Sequence, residues 1–189
     1  LEEIGRPDVA FISNVPWEKP GWDQGVYLTD QVTLLHDRMN VMLGARWSTL
    51  RDQQREATTP QAGVNYAVTR DWTAYALYSA SFRGNGRSDS RDPQSSFLAP
   101  EEGVGFEVGT KVSLIDRKLT GTVALFEVTK KNIRRVDSGA IVEGRNGVVL
   151  SDGEQSKGVE LDLLYTPNRN LTAVLAYAHT DAKITKDVI

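Results

Sequence analysis

The residues that decide the fold are FEVGTKVSLIDRKLTGTVALFEV, positions 106–128. Four of the five even-numbered positions from Phe106 to Leu114 are apolar, and small or charged residues stand between them. A similar, looser alternation follows the four residues Ile115–Lys118. A period of two places the apolar side chains on one face of a β-strand, and so short a connection joins antiparallel neighbours. The stretch therefore predicts a β-hairpin with one apolar face and one polar face.

The same alternation recurs along the chain. Three further runs alternate as clearly as residues 106–114, and each clear run has a less regular partner across a short turn. The pairs are 25–34 with 41–48, 61–68 with 72–82, 106–114 with 118–128, and 158–165 with 171–180. Helical spacing describes none of the clear runs as well. We therefore predict an all-β, antiparallel up-and-down meander of about eight strands in four hairpins.

The connections between these runs are of two kinds. Short turns at 35–38, 69–71, 115–118 and 166–170 alternate with long connections rich in Gly, Ser and charge at about 51–59, 83–104 and 131–156. In a meander, alternate connections lie at opposite ends of the sheet. Short turns at one rim and long loops at the other are typical of outer-membrane β-barrels.

Alternation by itself leaves two other architectures open. The polar face carries charged pairs such as Glu107 with Lys111 and Glu160 with Asp162, which would be costly in a dry core. A water-lined lumen accepts them, but so does the solvent face of a soluble β-sandwich binding module. A self-contained eight-stranded outer-membrane barrel is the other alternative, because eight is an allowed strand number.

Composition excludes several classes of protein. The chain has 189 residues, 40% hydrophobic and 25% charged, with a net charge of −3, which argues against a nucleic-acid partner. There is no cysteine for a disulfide framework or a thiolate metal site, and no apolar run long enough to predict a transmembrane helix. Because Leu1 is neither an initiator Met nor part of a signal segment, we expect an internal piece of a longer protein.

Nine segments between residues 25 and 184 are recognisable as a series. They are GVYLTDQV (25–32), NVMLGARW (40–47), PQAGVNY (60–66), YALYSASF (75–82), LAPEEG (98–103), FEVGTK (106–111), LFEVTKKNI (125–133), SKGVELD (156–162) and LAYAHTDAKI (175–184). Each segment alone is weak, but together and in this order they resemble the TonB-dependent siderophore receptors, most closely their ferric-hydroxamate (ferrichrome-type) branch.

This resemblance implies a 22-stranded barrel in the bacterial outer membrane, with its lumen filled by an N-terminal plug. Residues 1–189 would be a fragment of the barrel domain, without the plug, and their 51–59 loop is short for the family. The implied function is binding of a ferric siderophore and its import with energy from TonB–ExbB–ExbD through the plug. The resemblance implies outer-membrane lipid as a partner and neither an enzymatic activity nor a cofactor.

Candidate site residues are few. The only histidines, His36 and His179, have no metal-ligand partners at usable spacing, so we predict no catalytic and no metal site. The longest Gly/Ser loop offers Arg83, Arg87 and Phe97 as candidates for ligand binding, because this loop could reach over the barrel mouth.

Two further groups have an ordinary structural explanation beside the functional one. The basic residues Lys130, Lys131, Arg134 and Arg135 could attract anions, but a charged loop base that keeps a strand end in water is the simpler interpretation. Aromatic residues near the predicted strand ends could form interfacial girdles, although aromatics favour strands anyway. These aromatics are Trp17, Trp22, Tyr27, Trp47, Trp72, Tyr75 and Tyr165.

Overall fold

The computed structural model describes residues 23–50, 55–86, 97–142 and 145–186. These residues form nine β-strands: β1 (Asp23–Leu34), β2 (Met39–Leu50), β3 (Arg55–Ala67), β4 (Trp72–Arg83), β5 (Glu101–Leu114), β6 (Leu119–Lys131), β7 (Ile133–Val142), β8 (Arg145–Asn168) and β9 (Leu171–Lys186). Within these ranges no helix has the length and hydrophobicity needed to cross a membrane.

The strands form one antiparallel sheet in which neighbours along the chain are neighbours in space. The order is β1-β2-β3-β4-β5-β6-β8, with β9 on the far side of β8 and β7 beside the first part of β8. All eight predicted strand regions are confirmed, and so is the meander. The sheet is a single layer and is not closed by pairing of β1 with β9 among the described residues, so neither the sandwich nor a self-contained eight-stranded barrel is formed.

The long connections are shorter than the sequence suggested. Residues 55–59 belong to β3 and 101–104 to β5. The prediction of a loop at 131–156 is wrong, because β7 and the first part of β8 pair across most of it. Lys130 pairs with Glu154 and Ile133 pairs with Ser151, so the ladder continues through Asn132 without a change of register. This extended β6–β7/β8 hairpin rises beyond the sheet at the long-loop end.

The two faces differ as the alternation predicts. The cross-strand row Val32–Val41–Val64–Ala76–Val108 lies on one face, and the adjacent row Gln31–Met42–Gly63–Leu77–Glu107 lies on the other. We call these the apolar face and the polar face. Among the described residues Ala124 is the one buried hydrophobic side chain, and many large apolar side chains are exposed. A sheet with no second layer needs an apolar medium against its apolar face.

Two of the short turns close with left-handed backbone. In the β1–β2 turn Leu35, His36 and Asp37 have φ of 55°, 54° and 64°, and Arg38 N donates to Leu35 O at 3.3 Å. The β5–β6 turn repeats this geometry, with Lys118 N donating to Ile115 O at 3.0 Å. Positive φ at both central residues matches the twist of a tight hairpin.

The aromatic prediction is correct in part. Trp47, Trp72 and Tyr165 lie on the apolar face, where a girdle requires them, and Tyr66 joins them. Tyr27 and Tyr75 lie on the polar face, so their assignment to a girdle is wrong. Trp17 and Trp22 lie outside the described residues. Near the short turns the indole Nε1 of Trp72 donates to Thr110 Oγ1, which gives this girdle residue a polar partner.

Candidate ligand-facing site on the polar face

The polar face has a connected cluster on β4 and β5. Tyr75 pairs in register with Gly109, and a Cβ atom at Gly109 would lie 2.6 Å from both Cζ and Oη of Tyr75. The phenol ring therefore occupies the space that the glycine leaves free. From there the Tyr75 hydroxyl donates to Glu107 Oε1 at 2.6 Å, and Lys111 Nζ lies 5.0 Å from the ring centroid. A charge-assisted hydrogen bond and a cation–π contact thus fix the ring against the sheet.

A recess of about 230 Å³ adjoins this cluster. Its lining combines apolar and acidic side chains with the open floor of a glycine: Leu77, Ser79, Gly105, Phe106, Glu107, Phe126, Val128 and Glu160. Glu160 enters from β8 because it pairs with Ala124, whose partner on the other side is Gly109. The result is a mixed surface in which aromatic, aliphatic and carboxylate groups converge.

We call Glu107, Glu160 and Asp162 the acidic wall of the polar face. Glu107 is hydrogen-bonded to Tyr75, whereas no described residue forms an ion pair with Glu160 or Asp162. Carboxylates in this position can accept hydrogen bonds or ion pairs from groups in front of the sheet. In the described part of the chain no three His, Asp or Glu side chains are grouped to hold a metal ion.

At the long-loop end, two asparagines tie the β4–β5 connection to the β6–β7 junction. Asn85 is buried, and its Nδ2 donates to Ala99 O at 2.7 Å and to Asn132 O at 2.5 Å. Asn132, at a φ of 57°, donates from Nδ2 to Pro100 O at 2.9 Å. Asparagine tolerates left-handed backbone and can bond back to the main chain, which explains its use at this bend.

Of the three residues that the sequence offered as ligand contacts, the structure describes Arg83 and Phe97. Arg83 is the last residue of β4 and is exposed. It belongs to the residues of β4 that lie on the polar face, and it is in register with Glu101. Phe97 is half-buried in an isolated bridge at the far end of the same connection. Arg87 lies outside the described residues. Their role in ligand binding stays a prediction.

The basic run has acidic partners, in agreement with its structural interpretation. Lys130 Nζ lies 3.6 Å from Glu101 Oε1, and Arg135 Nη2 lies 2.7 Å from Glu154 Oε1. Lys131 is exposed and in register with Glu102, so a third pair of opposite charges faces across the strands. These contacts stabilise the base of the extended hairpin.

Sequence reasoning placed Glu107 and Glu160 on the polar face but did not identify them as one cluster. They come from β5 and β8, which have only β6 between them in the sheet. Predicting that they are close requires the strand pairing: β7 pairs only with the first part of β8, and the rest of β8 pairs with β6. The alternating glycines of β5, Gly103, Gly105 and Gly109, were the available signal, because glycine in a strand often marks a close approach.

A single-layer antiparallel meander, apolar on one face, polar on the other, and with short turns at one rim, defines a segment of an outer-membrane β-barrel wall. The model of the family described as "TonB dependent receptor-like, beta-barrel" matches residues 7–188, and the chain belongs to this family.

Curated relatives and solved structures agree with this assignment. The metal-pseudopaline receptor CntO of Pseudomonas aeruginosa is 35% identical over 140 residues, covering 74% of this chain and 19% of that receptor. The ferrichrome outer membrane transporter/phage receptor of Escherichia coli K12 is 30% identical over 176 residues, covering 86% of this chain and 22% of the transporter.

Among solved structures, the siderophore receptor PirA from Pseudomonas aeruginosa superimposes with a TM-score of 0.71 at 15% identity, over 88% of this chain and 35% of that one. The alcaligin outer membrane receptor FauA from Bordetella pertussis gives 0.68 at 22% identity, over 89% of this chain and 32% of that one. These likenesses show the barrel fold.

The chain spans about a fifth of the length of the curated relatives it matches. Its family consists of receptors and transporters of the outer membrane, not of enzymes. The apolar face is therefore the lipid-facing side of the barrel, and the polar face lines the lumen.

Proposed function

We propose that the protein to which these residues belong binds a ferric siderophore at the outer face and imports it with energy supplied by TonB. The observation that carries this proposal is the lumenal wall itself. It combines the mixed recess beside Phe126 with the acidic wall, while the opposite face of the same strands is apolar. Relatives named as receptors for ferrichrome and ferric pyoverdine support a ferric siderophore, and the relative named as a metal-pseudopaline receptor supports a metal chelate more generally.

The acidic wall has a specific place in this proposal. Glu160 and Asp162 face a lumen that an N-terminal plug would fill, and they have no ion-pair partner among the described residues. We infer that cationic or hydrogen-donating groups of the plug meet them there. A plug held by such contacts blocks the lumen, which is why release of a bound chelate needs an external energy source.

The ferrichrome-type branch remains the proposed ligand class within the siderophores. Hydroxamate chelates are bulky and combine polar and apolar surface, and a recess lined by both Phe126 and Glu107 is suited to such a surface.

The test uses the full-length receptor in a host that lacks its own siderophore receptors. We expect uptake of radiolabelled iron from ferrichrome-type hydroxamates, and no uptake when TonB is deleted from the host. Uptake from pyoverdine-type chelates alone would retain the transport function and reject the hydroxamate assignment. Absence of uptake from every siderophore class, with the receptor folded in the membrane, would reject the transport proposal.

A further inference from the structure

One charged side chain interrupts the lipid-facing surface near the short-turn rim. Asp30 of β1 lies in register with Leu43 of β2, between Leu28 and Val32 on the apolar face, and its side chain is exposed. No described residue forms a hydrogen bond or an ion pair with it. A lipid-facing carboxylate is unfavourable at membrane depth, so its presence there calls for a partner.

An apolar groove begins beside this carboxylate. The groove measures about 340 Å³ and crosses four strands, with alanines along its floor and larger side chains at its sides. Its lining is Val41, Leu43, Ala62, Gly63, Val64, Ala76, Leu77, Tyr78, Phe106, Glu107 and Val108. Leu43 pairs with Asp30 and Val41 pairs with Val32, so the β1 end of the groove opens onto Asp30.

The groove rises from the short-turn rim toward the long-loop rim. Asp30 lies four residues from the end of β1 at Leu34, whereas Phe106, in the same cross-strand row, lies eight residues from the end of β5 at Leu114. Four steps of roughly 4.8 Å between strands separate Asp30 from Phe106 by about 19 Å along this row. With a strand tilt of about 40° this corresponds to a rise of about 12 Å, close to one leaflet of a roughly 30 Å hydrocarbon core.

Asp30 lies close to the membrane boundary on the short-turn side of the barrel wall. The girdle residues Tyr66, Trp72 and Tyr165 mark this boundary near the short turns. With the same spacing and tilt, Asp30 stands only about 5 Å above the level of Tyr66. The carboxylate is therefore within reach of lipid headgroups, while the groove extends from it toward the middle of the bilayer.

We propose that this groove binds one phospholipid of the periplasmic leaflet whose headgroup carries a primary ammonium. An acyl chain lies along the alanine floor, and the ammonium donates to the Asp30 carboxylate. Charge complementarity selects this occupant, because an anionic headgroup would be repelled and a second apolar protein surface would leave the carboxylate unpaired. The site is on the lipid side of the wall and does not depend on which chelate the lumen carries.

The test is native mass spectrometry of the full-length receptor in detergent, with equal amounts of dioleoyl phosphatidylethanolamine and dioleoyl phosphatidylglycerol. We expect the wild-type receptor to retain more phosphatidylethanolamine than phosphatidylglycerol. Asp30→Asn should reduce this preference by about three-fold, the effect of losing one partly exposed ion pair. Asp181→Asn is the matched control. Asp181 is a carboxylate on the same face, but β6 and β8 separate its strand from the groove, and it is paired with Lys183, so its loss should leave the preference unchanged.

A second variant tests the acyl-chain site separately. Ala76→Leu fills the groove floor and should lower the amount of both phospholipids retained without changing their ratio. An unchanged ratio in Asp30→Asn, or an unchanged amount in Ala76→Leu, would overturn the proposal. A wild-type ratio near one would do so as well, because Asp30 would then not select between the two headgroups.

Discussion

At Gly109, the absence of a side chain determines how the lumenal wall is built. The ring of Tyr75 fills the space above it, and the Val123 carbonyl oxygen lies 2.6 Å from where a Cβ atom would be. Backbone on one side and a hydrogen-bonded ring on the other leave an added methyl group no room. Gly63, in the neighbouring part of the sheet, is different, since a Cβ there would approach nothing closer than Leu77 Cδ1 at 3.5 Å.

We therefore expect Gly109→Ala to destabilise the receptor by about 1–3 kcal/mol, since the ring must move and its bond to Glu107 is lost. Gly63→Ala is the matched control and should be neutral or slightly stabilising, because alanine is the better strand residue where it has room. The measurement is the unfolding midpoint of the full-length receptor in detergent. Equal midpoints for the two variants would show that Tyr75 does not occupy the Gly109 position.

At the scale of elements, two of the hairpin turns require positive φ angles, which residues other than glycine rarely adopt. Asp37, at a φ of 64°, sits at a position that glycine occupies at less cost. Asp71, in the β3–β4 turn, is not among the left-handed residues; its N–H donates to Thr69 Oγ1 at 3.2 Å and its carbonyl accepts from Ser113 N at 2.8 Å. The same substitution should therefore act in opposite directions in the two turns.

Asp37→Gly should stabilise the folded receptor by about 0.5–1 kcal/mol by removing left-handed strain. Asp71→Gly should destabilise it by a similar amount, because glycine adds freedom to the unfolded chain without relieving any strain. Urea titration in detergent measures both. Destabilisation by Asp37→Gly would contradict the observed turn geometry.

The extended β6–β7/β8 hairpin shows why element boundaries were harder to predict than elements. Glycine, serine and charge in residues 131–156 are typical of a loop. The structure keeps these residues in a ladder because the register of β6 with β8 continues through Asn132 into β7. Cross-strand pairing, which a single-sequence pattern does not contain, outweighs local propensity there.

At the scale of the whole molecule, the sheet lacks a core of its own. Its apolar face has no second layer in the described residues, and β1 and β9 each leave one edge without a partner. Open edges and exposed apolar surface favour aggregation in water. A membrane and the remaining strands of a barrel remove both liabilities.

We therefore expect the 189-residue chain, diluted from urea into plain buffer, to aggregate without a cooperative thermal transition. Detergent micelles should instead support β-structure visible by circular dichroism, because they cover the apolar face. Sedimentation and circular dichroism in the two media provide the comparison. A monodisperse monomer with a cooperative transition in plain buffer would contradict the assignment of the apolar face to lipid.

The sequence by itself determined the strand class, the pairing across short turns, and the identity of the two faces. These follow from a period-two pattern and from connection length, and both are local properties of the chain. Val41–Ser48 and Phe106–Leu114 were predictable for this reason, as were Glu107 and Glu160 on the polar face.

Only the tertiary structure decided which residues of different strands become neighbours. It brought Glu160 to the Tyr75–Glu107 cluster, placed Tyr27 and Tyr75 in the lumen instead of a girdle, and set Asp30 at the end of an apolar groove. The physical reason is the register. Hydrogen-bonded pairing fixes the offset of each strand against the next, and small offsets accumulate across nine strands into positions that no local pattern encodes.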